Sequence, residues 1–275
     1  MAETDDEAAA PFGRYAPSAG LTRMIGLSRA MNRGNALRPL GRLIRHMTIN
    51  RLGARPVDDS FRGLRARFHP IGNVCEKRAL LSPAEFDAEE FAFAGEVLAP
   101  GDICLDVGAN VGFYSLFFAS RVGPQGKVIA FEPHPLMFAR LKTNIALNPD
   151  ISCIVPENCA VYSQEGEMAL VEGSGNFGET KLGNEGPGTV TVKVVRLSRY
   201  LETGGLSPVK LMKIDVEGAE GEVFADLFAA PQTFHPRYII VEFGKDGWDK
   251  TRQACTDAGY VRVAKTRMNE ILEKR

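Results

Sequence analysis

The chain has 275 residues, with 44% hydrophobic and 24% charged side chains and a formal net charge of −1 at pH 7. This composition is typical of a globular protein, and no run of about 18 uncharged apolar residues predicts a membrane span. Five cysteines without a C-x-x-C pair and four isolated histidines argue against a disulfide framework, a zinc site and a histidine-based metal centre. The acidic start "MAETDDE" has no apolar signal core, so a cytoplasmic protein is expected.

The N-terminal part of the chain is strongly basic. Between Ala8 and Val57 there are nine arginines and no acidic residue. We therefore expect a helical, basic appendage at residues 1–58, followed by the main domain at residues 59–275.

Apolar residues in this appendage recur at helical spacing. The two sets are Leu21, Met24, Ile25 and Leu27–Ser28, and then Leu40, Leu43, Ile44 and Met47. A basic amphipathic segment over residues 14–55 suits peripheral contact with an anionic membrane, here the inner membrane face. Packing of a helical pair on the main domain or on a partner subunit, and RNA binding through phosphates, remain alternatives.

After the appendage, the pattern predicts strands that alternate with helices. "RGLRARF" at residues 62–68 alternates as a strand does, and "SPAEFDAEEFAFAGEVLAP" predicts a helix over residues 82–100 capped by Ser82. Further predicted strands cover residues 102–107, 127–133, 152–161, 209–216 and 237–244, with predicted helices at residues 111–122, 136–147, 218–230 and 246–259. This alternation indicates an α/β fold, with a mostly parallel sheet and helices on both faces.

Two segments depart from the alternation. Residues 165–197 combine a Gly-rich stretch with the alternating "TVTVKVVRL", which predicts a β-hairpin insertion with a long loop. "YVRVAK" and "NEILEKR" are joined by too few residues for a crossover helix, so the last strand is expected to be antiparallel.

The stretch "DVGANVGFYS" joins the strand at residues 102–107 to its helix. A dinucleotide-binding loop needs glycines where this chain has Asn110 and Phe113, and the lysine of a P-loop is absent. The loop therefore suits a phosphate-free ligand, with Asn110 in a left-handed conformation. The next strand is followed by Glu132, whose carboxylate can accept both hydroxyls of an adenosine ribose. Together these features predict a site for S-adenosylmethionine. A nicotinamide-dependent oxidoreductase is the alternative that shares only Glu132.

A resemblance to the FkbM family of S-adenosylmethionine-dependent methyltransferases is carried by five segments: "DVGANVGFYSL", "VIAFEPHP", "NCAVYSQEGE", "GNFGETKL" and "LMKIDVEGAE". It covers residues 80–260 approximately. The resemblance implies a class I, Rossmann-like methyltransferase sheet of seven strands with an antiparallel last strand. It also implies methyl transfer to a hydroxyl of a sugar, a glycolipid or a polyketide-like metabolite, so the expected partner is a small-molecule, glycan or lipid-linked hydroxyl compound.

The resemblance also implies the cofactor contacts. The methionine end of the cofactor is expected at Gly108, Asn110 and Gly112, in a loop that Asp106 orients. The ribose is expected at Glu132, and the adenine at Asn158 and Ala160.

Methyl transfer to an alcohol benefits from a base, because an alcohol is a poor nucleophile. In "KLMKIDVEG", Lys213, Asp215 and Glu217 alternate along an extended chain and therefore share one side. We predict Asp215 as the base, Lys213 and Glu217 as its catalytic neighbours, and Glu242 as a substrate contact. Asp215, Glu217 and Glu242 could instead chelate magnesium, but nothing in the sequence requires a metal.

The remaining candidates are weaker. Asn176 and Thr180, in the Gly-rich loop at residues 173–188, are predicted substrate contacts, whereas His134 is expected to have a packing role. A nucleic-acid methyltransferase could use the basic arm. However, the sequence has neither an Asn/Asp-Pro-Pro-aromatic box nor a Pro-Cys nucleophile, so the nucleic-acid signal is not strong. A non-catalytic S-adenosylmethionine-binding protein remains a further alternative.

Overall fold

The structure is a computed structural model that describes residues 5–31, 38–171, 181–183, 189–244 and 247–275. The predicted substrate contacts Asn176 and Thr180 lie outside these described residues. The helices are α1 Asp5–Ala9, α2 Ala19–Met31, α3 Arg38–Leu52, α4 Val74–Leu81, α5 Ala88–Val97, α6 Phe113–Val122, α7 Pro135–Ala146, α8 Leu197–Gly204, α9 Glu220–Ala229 and α10 Trp248–Asp257. The strands are β1 Val57–Phe61, β2 Leu64–Phe68, β3 Ile103–Val107, β4 Lys127–Phe131, β5 Ile154–Glu157, β6 Ala160–Tyr162, β7 Gly166–Val171, β8 Lys181–Gly183, β9 Thr189–Arg196, β10 Val209–Ile214, β11 Tyr238–Glu242, β12 Tyr260–Lys265 and β13 Asn269–Lys274.

The main sheet has seven strands in the order β12-β13-β11-β10-β3-β4-β5. Neighbouring strands from β11 to β5 are parallel, and β13 is antiparallel to both β11 and β12. The predicted class I sheet, with its antiparallel last strand, is therefore confirmed.

Two apolar cores cover the two faces of this sheet, because successive side chains of a strand point to opposite faces. On β3, Cys104 belongs to one core and Leu105 to the other; on β10, Leu211 and Met212 divide in the same way. The first core contains residues of α4, α5, α6 and α7, and the second contains residues of α8, α9 and α10. Helices thus pack on both faces, as predicted.

Two local predictions are wrong. The helix expected over residues 82–100 begins only at Ala88, because an unpredicted helix, α4, precedes it and Ser82 ends that helix by donating its N–H to the Arg78 carbonyl oxygen at 2.8 Å. The strand expected over residues 152–161 is two strands in different sheets. β5 pairs with β4, the chain turns at Asn158, and β6 pairs with β9.

The insertion over residues 165–197 contains the predicted hairpin. β7 and β9 are antiparallel, and with β6 and β8 they form a four-stranded sheet in the order β6-β9-β7-β8.

The N-terminal segment packs on the first core. Ile25 of α2 and Leu52 of α3 are buried in that core. β1 and β2 form a hairpin whose two-residue turn, Arg62 and Gly63, has φ values of 50° and 86°, as a type I′ turn requires. The expected boundary after residue 58 falls inside β1. No helix of the described ranges is long and apolar enough to cross a membrane.

A buried ion pair holds the residues before α2 against this hairpin. Arg67 Nε donates to Asp58 Oδ1 at 2.8 Å, and both side chains are fully buried. Arg67 also donates to the carbonyl oxygens of Glu7 and Ala10, and the Gly13 N–H donates to Asp58 Oδ2 at 2.8 Å. The buried Arg67–Asp58 ion pair and its hydrogen bonds therefore connect α1, the residues that follow it and the β1–β2 hairpin.

Candidate active site

A cavity opens at the carboxyl ends of β3, β4 and β10. The strand order reverses between β3 and β10, and in open α/β sheets ligands bind at this switch point. The cavity lining includes Asp87, Asp106, Gly108, Asn110, Tyr114, Phe131, Glu132, Ala160, Val161, Lys213, Asp215 and Glu217.

The glycine loop after β3 lies tightly against its neighbours. Gly108 has φ 83°, and a Cβ there would overlap the carbonyl oxygen of Asp215. The N–H groups of Gly108 and Ala109 both donate to the Phe131 carbonyl oxygen, at 3.0 and 2.9 Å. Asn110 has φ 52°, the left-handed conformation predicted for it. The loop residues Gly108, Ala109 and Asn110 thus form part of the cavity wall.

Glu132 closes the other side of this loop. One carboxylate oxygen accepts the Asn110 N–H at 2.7 Å, and the other accepts the His134 N–H at 2.8 Å. Burial raises the pKa of Glu132 to about 7, although these two N–H groups partly oppose the shift. Each oxygen retains a second lone pair toward the cavity, so the carboxylate can still accept hydroxyl groups of a ligand.

Two predicted cofactor contacts lie outside the cavity lining. Gly112 begins α6 with φ 88°, and a Cβ there would overlap Leu141, so its small size serves helix packing. Asn158 donates from Nδ2 to the carbonyl oxygens of Glu132 and Pro133, at 2.8 and 3.1 Å. It therefore fixes the chain after β4, while Ala160 lines the cavity.

The third group of predicted residues lies at the end of β10. Lys213 is buried, and its Nζ lies 3.3 Å from Asp215 Oδ2. Burial lowers the pKa of Lys213, but the charges of Asp215, Asp106 and Asp87 outweigh it and the net shift is upward. Lys213 is therefore a fixed cation rather than a base. Asp215 is less buried, with 39% of its side chain exposed, and it lines the cavity.

Asp106 lies beside Lys213, because β3 and β10 pair these two residues in register. Its carboxylate accepts the Ser115 hydroxyl at the first turn of α6. Burial raises the pKa of Asp106 to about 6, against the effects of Ser115 and Lys213. Asp106 therefore orients the loop and also contributes to the charge around Lys213.

Sequence analysis did not identify Asp87 and Tyr114. Tyr114 OH donates to Asp87 Oδ2 at 3.1 Å, and Lys213 Nζ lies 5.4 Å from the centre of the Tyr114 ring. Burial raises the pKa of both groups. Asp87 belongs to a turn before α5, so no local pattern marks it. Tyr114 could have been identified from the sequence, because it is an aromatic residue with a hydroxyl group in the first helical turn after the glycine loop.

Carboxylates also meet at the rim. Oxygens of Asp215, Glu217 and Glu242 lie within 4.8 Å of one another, so these three residues could hold a divalent cation, the alternative considered for them. Glu242 lies in a neighbouring groove with Trp248 and Thr251, outside the cavity lining, because β11 is one strand further from the switch point. His134 caps α7 by accepting the Leu136 N–H at 3.1 Å, which is a structural role.

The sheet order, the switch-point cavity and the glycine loop define a class I methyltransferase domain. Residues 106–274 match the methyltransferase FkbM domain. The chain therefore belongs to the FkbM methyltransferase family.

Several relatives are methyltransferases. Methyltransferase sdnD of Sordaria araneosa is 33% identical over 43% of this chain and 58% of its own length. Hexuronic acid methyltransferase AglP of Haloferax volcanii is 30% identical over 55% of this chain and 60% of its own length. The 31-O-demethyl-FK506 methyltransferase FkbM of Streptomyces tacrolimicus is 33% identical over 48% of this chain and 61% of its own length. The chain thus spans less than two thirds of each of these relatives.

Among solved structures, methyltransferase FkbM from Methylobacillus flagellatus KT aligns with a TM-score of 0.42 and 14% identity, over 72% of this chain and 54% of that chain.

Proposed function

We propose that the protein is an S-adenosylmethionine-dependent O-methyltransferase that acts on a hydroxyl of a sugar, a glycolipid or a polyketide-like metabolite. One observation carries the proposal: a single cavity joins the glycine loop and Glu132 to the charged pair Lys213–Asp215.

The residues of the cavity fit S-adenosylmethionine at three places. Gly108 lets the loop pass against the Asp215 carbonyl oxygen, which a Cβ would overlap, and so sets the loop in the cavity wall. Glu132 offers a buried carboxylate to hydroxyl groups. Phe131, Ala160 and Val161 supply an apolar wall suited to a flat ring. When bound, S-adenosylmethionine supplies an electrophilic methyl group.

In the proposed reaction, Asp215 accepts the proton of the acceptor hydroxyl while that oxygen gains the methyl group. The bond between sulfur and the methyl carbon would break, and S-adenosylhomocysteine would leave. Lys213, held 3.3 Å from Asp215 Oδ2, keeps this carboxylate oriented. Much of the rate comes from holding the acceptor oxygen in line, because methyl transfer is a displacement at carbon.

The part of the cavity where the methyl-accepting compound would bind favours a compound with several hydroxyl groups. Asp87 and Asp215 offer carboxylate acceptors there, and Lys213 offers polar hydrogens, while the Tyr114 hydroxyl, whose hydrogen is donated to Asp87, can accept one. The relative that acts on a hexuronic acid supports a sugar, and the relative that acts on an FK506 precursor supports a polyketide alcohol.

The test uses the full chain and S-adenosylmethionine labelled in its methyl group. Acceptors are methyl glucoside, methyl glucuronide and a macrolide alcohol, and label in the acceptor is measured. We expect transfer to at least one of them, with Asp215→Asn lowering turnover about 10²–10⁴-fold. The matched control is Asp150→Asn, because Asp150 is exposed and lies before β5, outside the cavity lining. This variant should keep full turnover.

Binding is measured separately, by thermal unfolding with S-adenosylhomocysteine and with NAD. S-adenosylhomocysteine is expected to raise the melting temperature of both the natural chain and Asp215→Asn, and NAD to leave it unchanged. Stabilisation by NAD alone would contradict the proposal that S-adenosylmethionine is the cofactor. Full turnover of Asp215→Asn would contradict the proposal that Asp215 is the base.

A further inference from the structure

The apolar stripe of α3 points away from the protein. Leu40, Leu43 and Met47 are 44%, 55% and 52% exposed. Their spacing of three and four residues places them on one face of the helix. The side of α3 that faces inward carries instead Gly41, Thr48 and Leu52.

The contacts of α3 fix this orientation. Leu52 is part of the first core, and α3 packs along α2. On α2 the arrangement is reversed, since Ile25 and Ser28 are buried. The apolar set of α2 is therefore partly buried, through Ile25, although Leu27 is 49% exposed, whereas Leu40, Leu43 and Met47 of the α3 set face outward.

Positive charge surrounds the exposed stripe. Arg42 and Arg51 are exposed on the same helix, and Arg51 continues the line of Leu40 and Met47 at spacings of seven and four residues. No acidic residue occurs between Ala8 and Val57. We call Leu40, Leu43, Met47, Arg42 and Arg51 the α3 face.

A basic groove lies between α3 and α4. Its lining includes Arg45, His46, Lys77 and Arg78, with no acidic residue among the described lining residues. Arg78 Nη2 lies 3.2 Å from Asp87 Oδ1, and Asp87 lines the active-site cavity. The Arg78–Asp87 ion pair therefore connects the groove to the lining of the active-site cavity.

We propose that the α3 face binds the surface of an anionic phospholipid bilayer. Its apolar side chains enter the region between headgroups and acyl chains, and its arginines contact lipid phosphates. A second copy of the chain is a poorer occupant, because a symmetric contact would set the same arginines against each other. A nucleic-acid backbone would use the arginines but leave the apolar stripe in water.

Bound in this way, the basic groove beside α3 places Arg78, the ion-pair partner of Asp87 in the cavity lining, near the headgroup layer. This placement suits an acceptor hydroxyl carried on a lipid.

The test is co-sedimentation of the full chain at low salt with vesicles of phosphatidylglycerol and phosphatidylcholine, and with vesicles of phosphatidylcholine alone. We expect binding to the anionic vesicles only. Leu40→Ser/Leu43→Ser/Met47→Ser should weaken it about 100-fold through lost apolar burial, and Arg42→Gln/Arg51→Gln about tenfold through lost charge. The matched control is Val263→Ser/Met268→Ser, two apolar residues that are each 42% exposed elsewhere, and it should bind as the natural chain does.

Circular dichroism and the melting temperature of each variant confirm that it is folded, and the arginine variant tests the proposal without altering the apolar stripe. The proposal fails if the natural chain stays in solution with anionic vesicles, or if both α3-face variants sediment like the control. It also fails if the natural chain does not bind the vesicles and light scattering shows that it is a dimer, whereas the triple variant is a monomer. The same holds if the natural chain binds poly(U) RNA but not the vesicles.

Discussion

Asn73 Nδ2 donates a hydrogen bond to Asn110 Oδ1 at 2.8 Å, which connects the start of α4 to the glycine loop. The same Asn73 side chain caps α4, since its Oδ1 accepts the Glu76 N–H at 3.1 Å. Glu76 in turn pairs with Arg140 of α7 at 2.7 Å and accepts the His69 N–H at 2.7 Å. A buried polar network thus positions the loop from outside the sheet.

The first prediction separates the two roles of Asn73. Asn73→Ser keeps an oxygen that can cap α4 but cannot reach Asn110, whereas Asn73→Ala loses both contacts. We expect both variants to weaken S-adenosylhomocysteine binding by roughly fivefold, because a net hydrogen bond contributes about 1 kcal/mol. Only Asn73→Ala should also lower the melting temperature clearly. Calorimetric titration and thermal unfolding measure the two effects, and unchanged affinity in both variants would remove Asn73 from the site.

The second prediction concerns pH and Glu132, whose pKa burial raises from 4.5 to about 7. Between these values the folded protein holds a proton that the unfolded chain has released, so the free energy of unfolding must fall as pH rises through this window. A shift of this size corresponds to roughly 3 kcal/mol. Urea unfolding at pH 5 and pH 8 should show a smaller loss in Glu132→Gln than in the natural chain. Asp106 also has a raised pKa, so equal losses in the two proteins would show that Glu132 is not responsible.

A third prediction tests Lys213 as a fixed cation. Lys213→Met removes the charge beside Asp215 and Asp106, so the carboxyl groups there should hold their protons to higher pH. We expect turnover at pH 7 to fall about tenfold and to recover partly at pH 9, with the acid limb of the pH–rate profile displaced upward. Lys210→Met, at the other end of β10, is the control and should leave the profile in place. A lower rate with an unmoved profile would instead indicate a packing defect.

The fourth prediction concerns the ion pair between Arg67 and Asp58. Arg67→Met leaves Asp58 buried without its cation, which should cost about 3–5 kcal/mol of unfolding free energy. The comparison is Arg199→Met, because Arg199 pairs with Glu165 at the same 2.8 Å but with 63% and 42% of the two side chains exposed. That change should cost less than about 1 kcal/mol. Denaturant unfolding gives both values, and similar costs would mean that burial does not distinguish the pairs.

The parts of the site that could be predicted are local in sequence. The glycine loop and Glu132 each follow a strand directly, and Lys213 and Asp215 alternate along one strand and its end, so a short segment contains the whole signal. Asp87 and Tyr114 could not be paired in advance, since packing of α5 on α6 brings them together. Asn73 belongs to the network around α4, a helix that periodicity did not reveal.

The sequence by itself determined the mostly parallel sheet, its antiparallel last strand, the phosphate-free loop and the two amphipathic sets near the N-terminus. These features depend on periodicity, on glycine and on connection length, which act over a few residues. Only the tertiary structure decided that Gly112 serves packing, that Asn158 holds the chain after β4, and that the stripe of Leu40, Leu43 and Met47 faces outward. The physical reason is that periodicity specifies which residues share a face, whereas the neighbours that pack against an element decide which face is buried.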